Sequence, residues 1–187
     1  PPPPPPLFSS RRRHTRLLTQ SRGLGDVYKR QDFSWTNYDA SGIYQPDFDV
    51  NDDGIVVFHI NHDIKRNSLM YPHVHWSTDG VDTNPVHWQL TYKIAERNDG
   101  TPPAFGATIT KTLIGTPGGG AFQHVVTETN DANAQLVPPV DSIIIMRVVR
   151  ITNGATENTD TVFGHFVDFH YQRERLGTRN RAPDFYK

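Results

Sequence analysis

The sequence predicts an all-β protein, an antiparallel β-sandwich or jelly roll of about seven or eight strands. The clearest evidence is the run 85–95, PVHWQLTYKIA, in which apolar and polar residues alternate strictly. A period of two is typical of a strand with one buried face and one wet face, as in antiparallel sheets. Other runs are rich in β-branched residues and bounded by turn formers. No segment shows the 3.6-residue period of an amphipathic helix.

Eight segments are predicted as strands: 42–45, 54–61, 69–77, 85–95, 107–114, 121–128, 141–152 and 161–173. The first is a short strand in an otherwise extended arm, 32–53. Segment 141–152, DSIIIMRVVRIT, begins with apolar residues on both faces, which predicts a central position. Pro72 removes a hydrogen-bond donor from segment 69–77, so this strand is predicted at a sheet edge, or with pairing that starts after Pro72.

Residues 1–31 are predicted to lie outside the fold, as a non-native or disordered leader. A proline homopolymer precedes RRRHTRLLTQSRGLGDVYKRQ, and this stretch resembles translated sequencing-adapter read-through. The alternative is a basic tail that binds nucleic acid or an anionic surface. The expected organisation is therefore a single β-sandwich domain at 32–187.

The charge of the predicted domain argues against nucleic-acid binding. The leader holds seven of the 19 basic and one of the 20 acidic residues, which leaves 12 and 19 and a formal net charge of −7. Binding to a phosphate backbone requires clustered Lys and Arg. The chain has no Cys, so disulfides and thiolate metal sites are excluded. No apolar run approaches the roughly 18 residues that span a bilayer, so no membrane partner is expected.

His73 and His75 form the sharpest candidate site. The two residues are two positions apart, so on a strand their side chains point to the same side. Neutral imidazole binds divalent transition metals, and a third ligand could come from His87, His124, His165 or His170. The alternative is a pair of hydrogen-bonded structural histidines beside Trp76. The sequence favours this alternative, so no cofactor is expected, and a divalent transition metal is the competing hypothesis.

A cupin-like metalloenzyme is one hypothesis for such a pair, because cupins combine a β-sandwich with an HxH motif. The cupin pattern requires a Glu shortly after this motif, but residues 76–80 read WSTDG. A later glycine-rich stretch, 115–124, ends in His124, which is displaced from the cupin spacing.

No other catalytic motif is present, so an enzyme is not expected. The chain lacks a Gly-x-Ser-x-Gly elbow and a phosphate-binding Gly-x-x-x-x-Gly-Lys loop. The carboxylates on or beside predicted strands are interpreted as solvated charges; they are Glu96, Glu128, Asp168 and Glu174.

Aromatic residues on the predicted sheet faces are candidates for binding or interfaces: Trp76, Trp88, Tyr92, His170 and Tyr171. Such residues can form a sugar-stacking platform, but they more often belong to a core or a subunit interface. A carbohydrate- or receptor-binding module that contacts a host-surface glycan is therefore the second function hypothesis.

Three segments together resemble a family of small proteins of tailed bacteriophages and prophages. They are PHVHW at 72–76, VHWQLTY at 86–92, and VDFHYQ at 167–172 followed by LGTR at 176–179. The resemblance implies a non-catalytic virion structural protein, a tail, neck or head-decoration component, made in the bacterial cytoplasm. It also implies a β-sandwich that assembles with copies of itself and with other virion proteins.

Overall fold

Ten β-strands and one short 3-10 helix make up the part of the chain that the computed structural model describes, residues 33–97, 104–152, 154 and 156–172. In order they are β1 (Ser34–Tyr38), β2 (Ile43–Asp47), β3 (Asp53–His59), β4 (Leu69–Thr78), β5 (Val86–Ala95), β6 (Ile109–Gly115), β7 (Val125–Glu128), the 3-10 helix (Asp131–Asn133), β8 (Gln135–Leu136), β9 (Ile143–Ile151) and β10 (Val162–Tyr171). Within these ranges, no helix is long and apolar enough to cross a membrane.

The strands form two antiparallel sheets. The first sheet has the order β1-β2-β10-β4-β7, with the short β8 also paired to β4, and the second sheet has the order β3-β9-β5-β6. From β2 to β5, and again from β8 to β10, each strand lies in the opposite sheet to the one before it. This winding is the jelly-roll form of a β-sandwich. The predicted fold class is confirmed.

Aromatic and aliphatic side chains fill the space between the sheets. Trp76 of β4 and Trp88 of β5 face each other across the sandwich with ring centroids 6.4 Å apart, and both are fully buried. Phe48 packs edge-on against Trp88 at 5.4 Å. Inside the sandwich, the Trp76 Nε1–H donates to Thr127 Oγ1 at 2.8 Å, so the polar atom of this indole is satisfied. A cavity of about 50 Å³ beside Phe48 and Trp88 has an almost entirely apolar lining.

The position of Pro72 corrects the prediction of an edge strand. β4 lies inside the first sheet, where it pairs with β10 from Met70 to Thr78. On its other side it pairs with β7 only from His73 to Trp76 and with β8 only at Leu69 and Met70. Pro72 lies in the gap between these two partners, so its missing N–H interrupts no pairing there.

Of the other strand predictions, one is confirmed and one is corrected by the observed strands. β9 lies between β3 and β5, as predicted for 141–152. The predicted arm 32–53 contains two strands, because β1 pairs with β2 as a hairpin. β1 was missed because its side chains are mostly exposed and carry no buried apolar face.

The leader at 1–31 and the LGTR segment at 176–179 lie outside the described residues.

Candidate functional site

The alternation along β4 places the HxH pair on the outer face of the first sheet. Met70, Val74 and Trp76 point into the core, so His73 and His75 point the opposite way. Both histidines therefore lie outside the space between the two sheets, and a metal held there would not be enclosed by the sandwich.

A β-bulge in β10 brings further polar groups to this outer face. The register between β10 and β4 shifts between Gly164 and Phe166, and a bulge adds one residue to a strand. Beyond it, Asp168 pairs directly with His73. Because Val167 and Phe169 pack against the core, Asp168 lies on the outer face beside the histidines.

His73, His75 and Asp168 form a compact group. Their potential ligand atoms all lie within 4.8 Å of one another. His73 Nε2 contacts Asp168 Oδ1, and His75 Nε2 lies 3.6 Å from the same oxygen. The side chains of His73, His75 and Asp168 are 0%, 12% and 27% exposed. Two imidazoles and one carboxylate suit a divalent transition metal.

A second group shares His73. The His170 Nδ1 contacts Glu128 Oε2, and Glu128 Oε2 lies 3.8 Å from His73 Nδ1. The His170 ring covers the His73 ring with centroids 3.8 Å apart. Glu128 comes from β7, opposite His73 in the register. This group is more exposed than the first.

Two aromatic rings enclose His75. Phe166 stacks on the imidazole at 3.8 Å and 18°, and the His124 ring lies parallel to it at 4.9 Å. His75 Nδ1 and His124 Nε2 are hydrogen-bonded at 2.7 Å. Burial, followed by the nearby His73, lowers the pKa of His75 to about 4. His75 is therefore neutral near pH 7, which is the form that binds metals.

His165 takes part in a separate hydrogen-bond chain on the same face. Its Nε2 lies 3.0 Å from Ser77 Oγ and its Nδ1 lies 3.3 Å from Gln45 Oε1. Ser77 Oγ is in turn 3.1 Å from the Tyr38 hydroxyl. Burial, and secondarily His124, lowers the pKa of His165.

The four predicted third ligands are placed differently. His87 lies on β5, in the second sheet, and does not join the cluster. His124 reaches the Nδ1 of His75, and His165 hydrogen-bonds Ser77. His170 joins His73 through Glu128.

The carboxylate that completes the group was missed, because Asp168 was interpreted as a solvated charge. The alternation of Phe166, Asp168 and His170 in β10 was the available signal. Asp168 can be a ligand only because β10 pairs with β4, and the sequence alone does not specify that pairing.

The predicted aromatic binding surface is corrected by burial. Trp76, Trp88 and Tyr92 are 0%, 0% and 1% exposed and belong to the core. Because they lie between the sheets, they cannot stack on a sugar. Tyr171 is partly buried against the same core, and His170 alone of the five is exposed on the cluster.

Compared with known proteins, the chain matches no family model, no curated protein and no solved structure. The interpretation of the site therefore rests on its geometry, and the resemblance to the phage family remains a prediction from the motifs.

Proposed function

We propose that the chain is a non-catalytic structural protein of a tailed-phage virion that assembles with copies of itself. The observation that carries the proposal is the pairing of the motifs behind the phage resemblance. PHVHW lies in β4 and VDFHY in β10, and the two are hydrogen-bonded neighbours, with Phe169 opposite Pro72 and His170 opposite Tyr71. These motifs build the centre of the first sheet.

The jelly roll supports the same proposal. This architecture recurs in viral capsid proteins, lectins and cupins, so the fold alone does not decide between them. The burial of Trp76 and Trp88 counts against the aromatic platform on which the carbohydrate-binding hypothesis depended. His73 and His75 lie on the outer face of the first sheet and not between the sheets, and this position counts against a cupin-like enzyme.

Self-association has a suitable surface on the outer face of the second sheet. Ile143 and Ile145 of β9 are 41% and 40% exposed. Val57 of β3 lies directly opposite Ile145. Ile55 is the neighbour of Val57 on the same face of β3. Apolar side chains grouped on one face of a sheet are typical of a contact between protein subunits.

Size-exclusion chromatography with light scattering of the full chain tests the assembly. The wild type is expected to run as an oligomer, and the double variant Ile143→Thr/Ile145→Thr as a smaller species. Threonine retains the β-branched shape that strands favour, so the fold should persist. The matched control is Val81→Thr, a change at a 70% exposed loop residue, which should leave the oligomer intact.

A wild-type monomer at micromolar concentration would contradict the assembly. The genes beside the coding sequence test the virion assignment separately. Portal, capsid or tail genes are expected on either side, and a neighbourhood of metabolic genes would count against a virion role.

A further inference from the structure

Three atoms on the outer face of the first sheet converge without a hydrogen bond among them. They are His73 Nε2, His75 Nε2 and Asp168 Oδ1, which lie within 4.8 Å of one another. Each atom is buried and has no hydrogen-bond partner in the described part of the protein, although His73 Nε2 and Asp168 Oδ1 are in contact. Buried polar atoms are normally paired, so this convergence requires an explanation.

The hydrogen bond of His73 determines which of its nitrogens carries the proton. Its Nδ1 lies 3.2 Å from the backbone oxygen of Tyr71. A carbonyl oxygen only accepts, so Nδ1 of the imidazole must donate. In the neutral ring, Nε2 then has a free lone pair, and that lone pair faces Asp168. Metal-binding histidines are typically held in this way by a backbone carbonyl.

His75 can be held in the same tautomer by His124. The 2.7 Å contact between His75 Nδ1 and His124 Nε2 requires one donor and one acceptor. When His75 Nδ1 donates, its Nε2 presents a lone pair to Asp168 and His124 carries its proton on Nδ1. Two lone pairs and one carboxylate oxygen then face a common point, an arrangement that a cation stabilises.

We propose that His73, His75 and Asp168 bind one divalent first-row transition-metal ion on the outer face of the first sheet. Ligand distances of about 2.1 Å place the ligand atoms of such an ion roughly 3 Å apart, so small side-chain shifts would complete the site. The ion would connect β4 to β10. His124 is a positioning residue, because it contacts His75 and not the proposed ion.

The donor set defines the class of metal. Two imidazoles and a carboxylate suit Zn²⁺, Fe²⁺, Co²⁺ or Ni²⁺, whereas Ca²⁺ and Mg²⁺ prefer oxygen ligands. Asp168 is the most exposed of the three ligands, and all three lie on the outer face of the first sheet. The ion therefore need not be enclosed between the sheets.

Neither of two other groups makes as strong a candidate. In the group of His73, Glu128 and His170, His170 contacts the carboxylate directly and His73 Nδ1 is occupied by the Tyr71 carbonyl. At a third place, Asp141 Oδ1 lies 2.7 Å from His62 Nε2 and 3.2 Å from His59 Nε2. There Arg97 already binds the same carboxylate at 2.5 Å, so a cation is not needed to balance its charge.

Isothermal titration of the metal-free, untagged full chain with Zn²⁺ tests the proposal. We expect one high-affinity site per chain, weakened at least about tenfold by His75→Gln, which removes one ligand. The matched control is His59→Gln/His62→Gln, which changes the other His–His–Asp group and should retain wild-type affinity. Circular dichroism of each variant establishes that the fold is intact.

The visible absorption of bound Co²⁺ gives a second readout of the ligands. The wild type is expected to give ligand-field bands that change in His75→Gln and Asp168→Asn but not in the control variant. His124→Ala should weaken binding by about tenfold while leaving three protein ligands. Absence of stoichiometric binding by the wild type, or equal loss of affinity in His59→Gln/His62→Gln, would overturn the assignment.

Discussion

Asp168 of β10 lies directly opposite His73 of β4, and its Oδ1 contacts the buried Nε2 of that histidine without a hydrogen bond. His75 Nε2 approaches the same oxygen at 3.6 Å. Without a bound cation, this arrangement places a carboxylate against two lone pairs, which is unfavourable in a partly buried location. The group should therefore lower the stability of the metal-free protein.

The first prediction concerns Asp168→Asn. In EDTA at pH 7.5, we expect the variant to be more stable than the wild type by about 1 kcal/mol, since an amide can donate to His73 Nε2 and carries no charge. In excess Zn²⁺, the order should reverse, because only the wild type has the carboxylate ligand. Urea unfolding followed by tryptophan fluorescence measures both differences.

Asp131→Asn is the control for Asp168→Asn. Asp131 accepts a hydrogen bond from the Tyr71 hydroxyl at 2.9 Å on the same side of the sheet, and an asparagine oxygen can still accept it. This control should respond little to EDTA or Zn²⁺. A metal-free Asp168→Asn that is less stable than the wild type would contradict the prediction, because the carboxylate would then stabilise the fold without a cation.

The sequence could predict two of the three ligands of the proposed metal site. A period of two places His73 and His75 on one face wherever the strand lies, so their proximity needed no structure. The position of Asp168 depends on which strand is the neighbour of β4 and on the register shift near Gly164. Strand order is set by long-range packing of the whole core, and a local pattern carries little information about it.

The second prediction concerns Arg150, whose buried guanidinium joins three parts of the chain. It donates to the backbone oxygens of Phe48 and Asn158, each at 2.8 Å. Arg150→Met would leave both carbonyls buried without these donors, and we expect a loss of about 3 kcal/mol in the free energy of unfolding. The control Lys93→Met, at an exposed position on β5, should change stability by less than about 0.5 kcal/mol. Equal effects in urea unfolding would contradict a structural role for Arg150.

The third prediction tests the close approach of β6 to the core hydrogen bond. A Cβ at Gly115 would lie 2.0 Å from Thr127 Oγ1 and 2.8 Å from the Trp76 ring. We expect Gly115→Ala to cost about 2–3 kcal/mol in the free energy of unfolding, because Thr127 also accepts the Trp76 N–H. Gly106→Ala is the control, since its nearest contact would be an ordinary 3.5 Å.

A double-mutant cycle identifies the source of the Gly115 effect. Thr127→Ala removes the hydroxyl that the new methyl group would meet, so Gly115→Ala should cost less in that background than in the wild type. Additive losses would place the strain elsewhere and contradict the proposed contact.

The final prediction concerns the pH dependence that His165 confers on the metal-free protein. Burial holds its folded pKa below the ordinary value of 6.5, and the neutral ring can accept from Ser77 and donate to Gln45. Below pH 6.5 the unfolded chain binds a proton that the folded protein does not, so stability must fall as the pH decreases. The stability that this linkage contributes is complete above about pH 6.5 and is lost as the pH falls towards the lowered folded pKa.

Thermal unfolding in EDTA between pH 7.5 and 5.0 tests this pH dependence. The decrease in Tm should be smaller for His165→Gln than for the wild type. The difference between the two proteins at pH 7.5 measures the lost hydrogen bonds together with the lost ring packing against Tyr38. Parallel pH profiles would contradict the assignment.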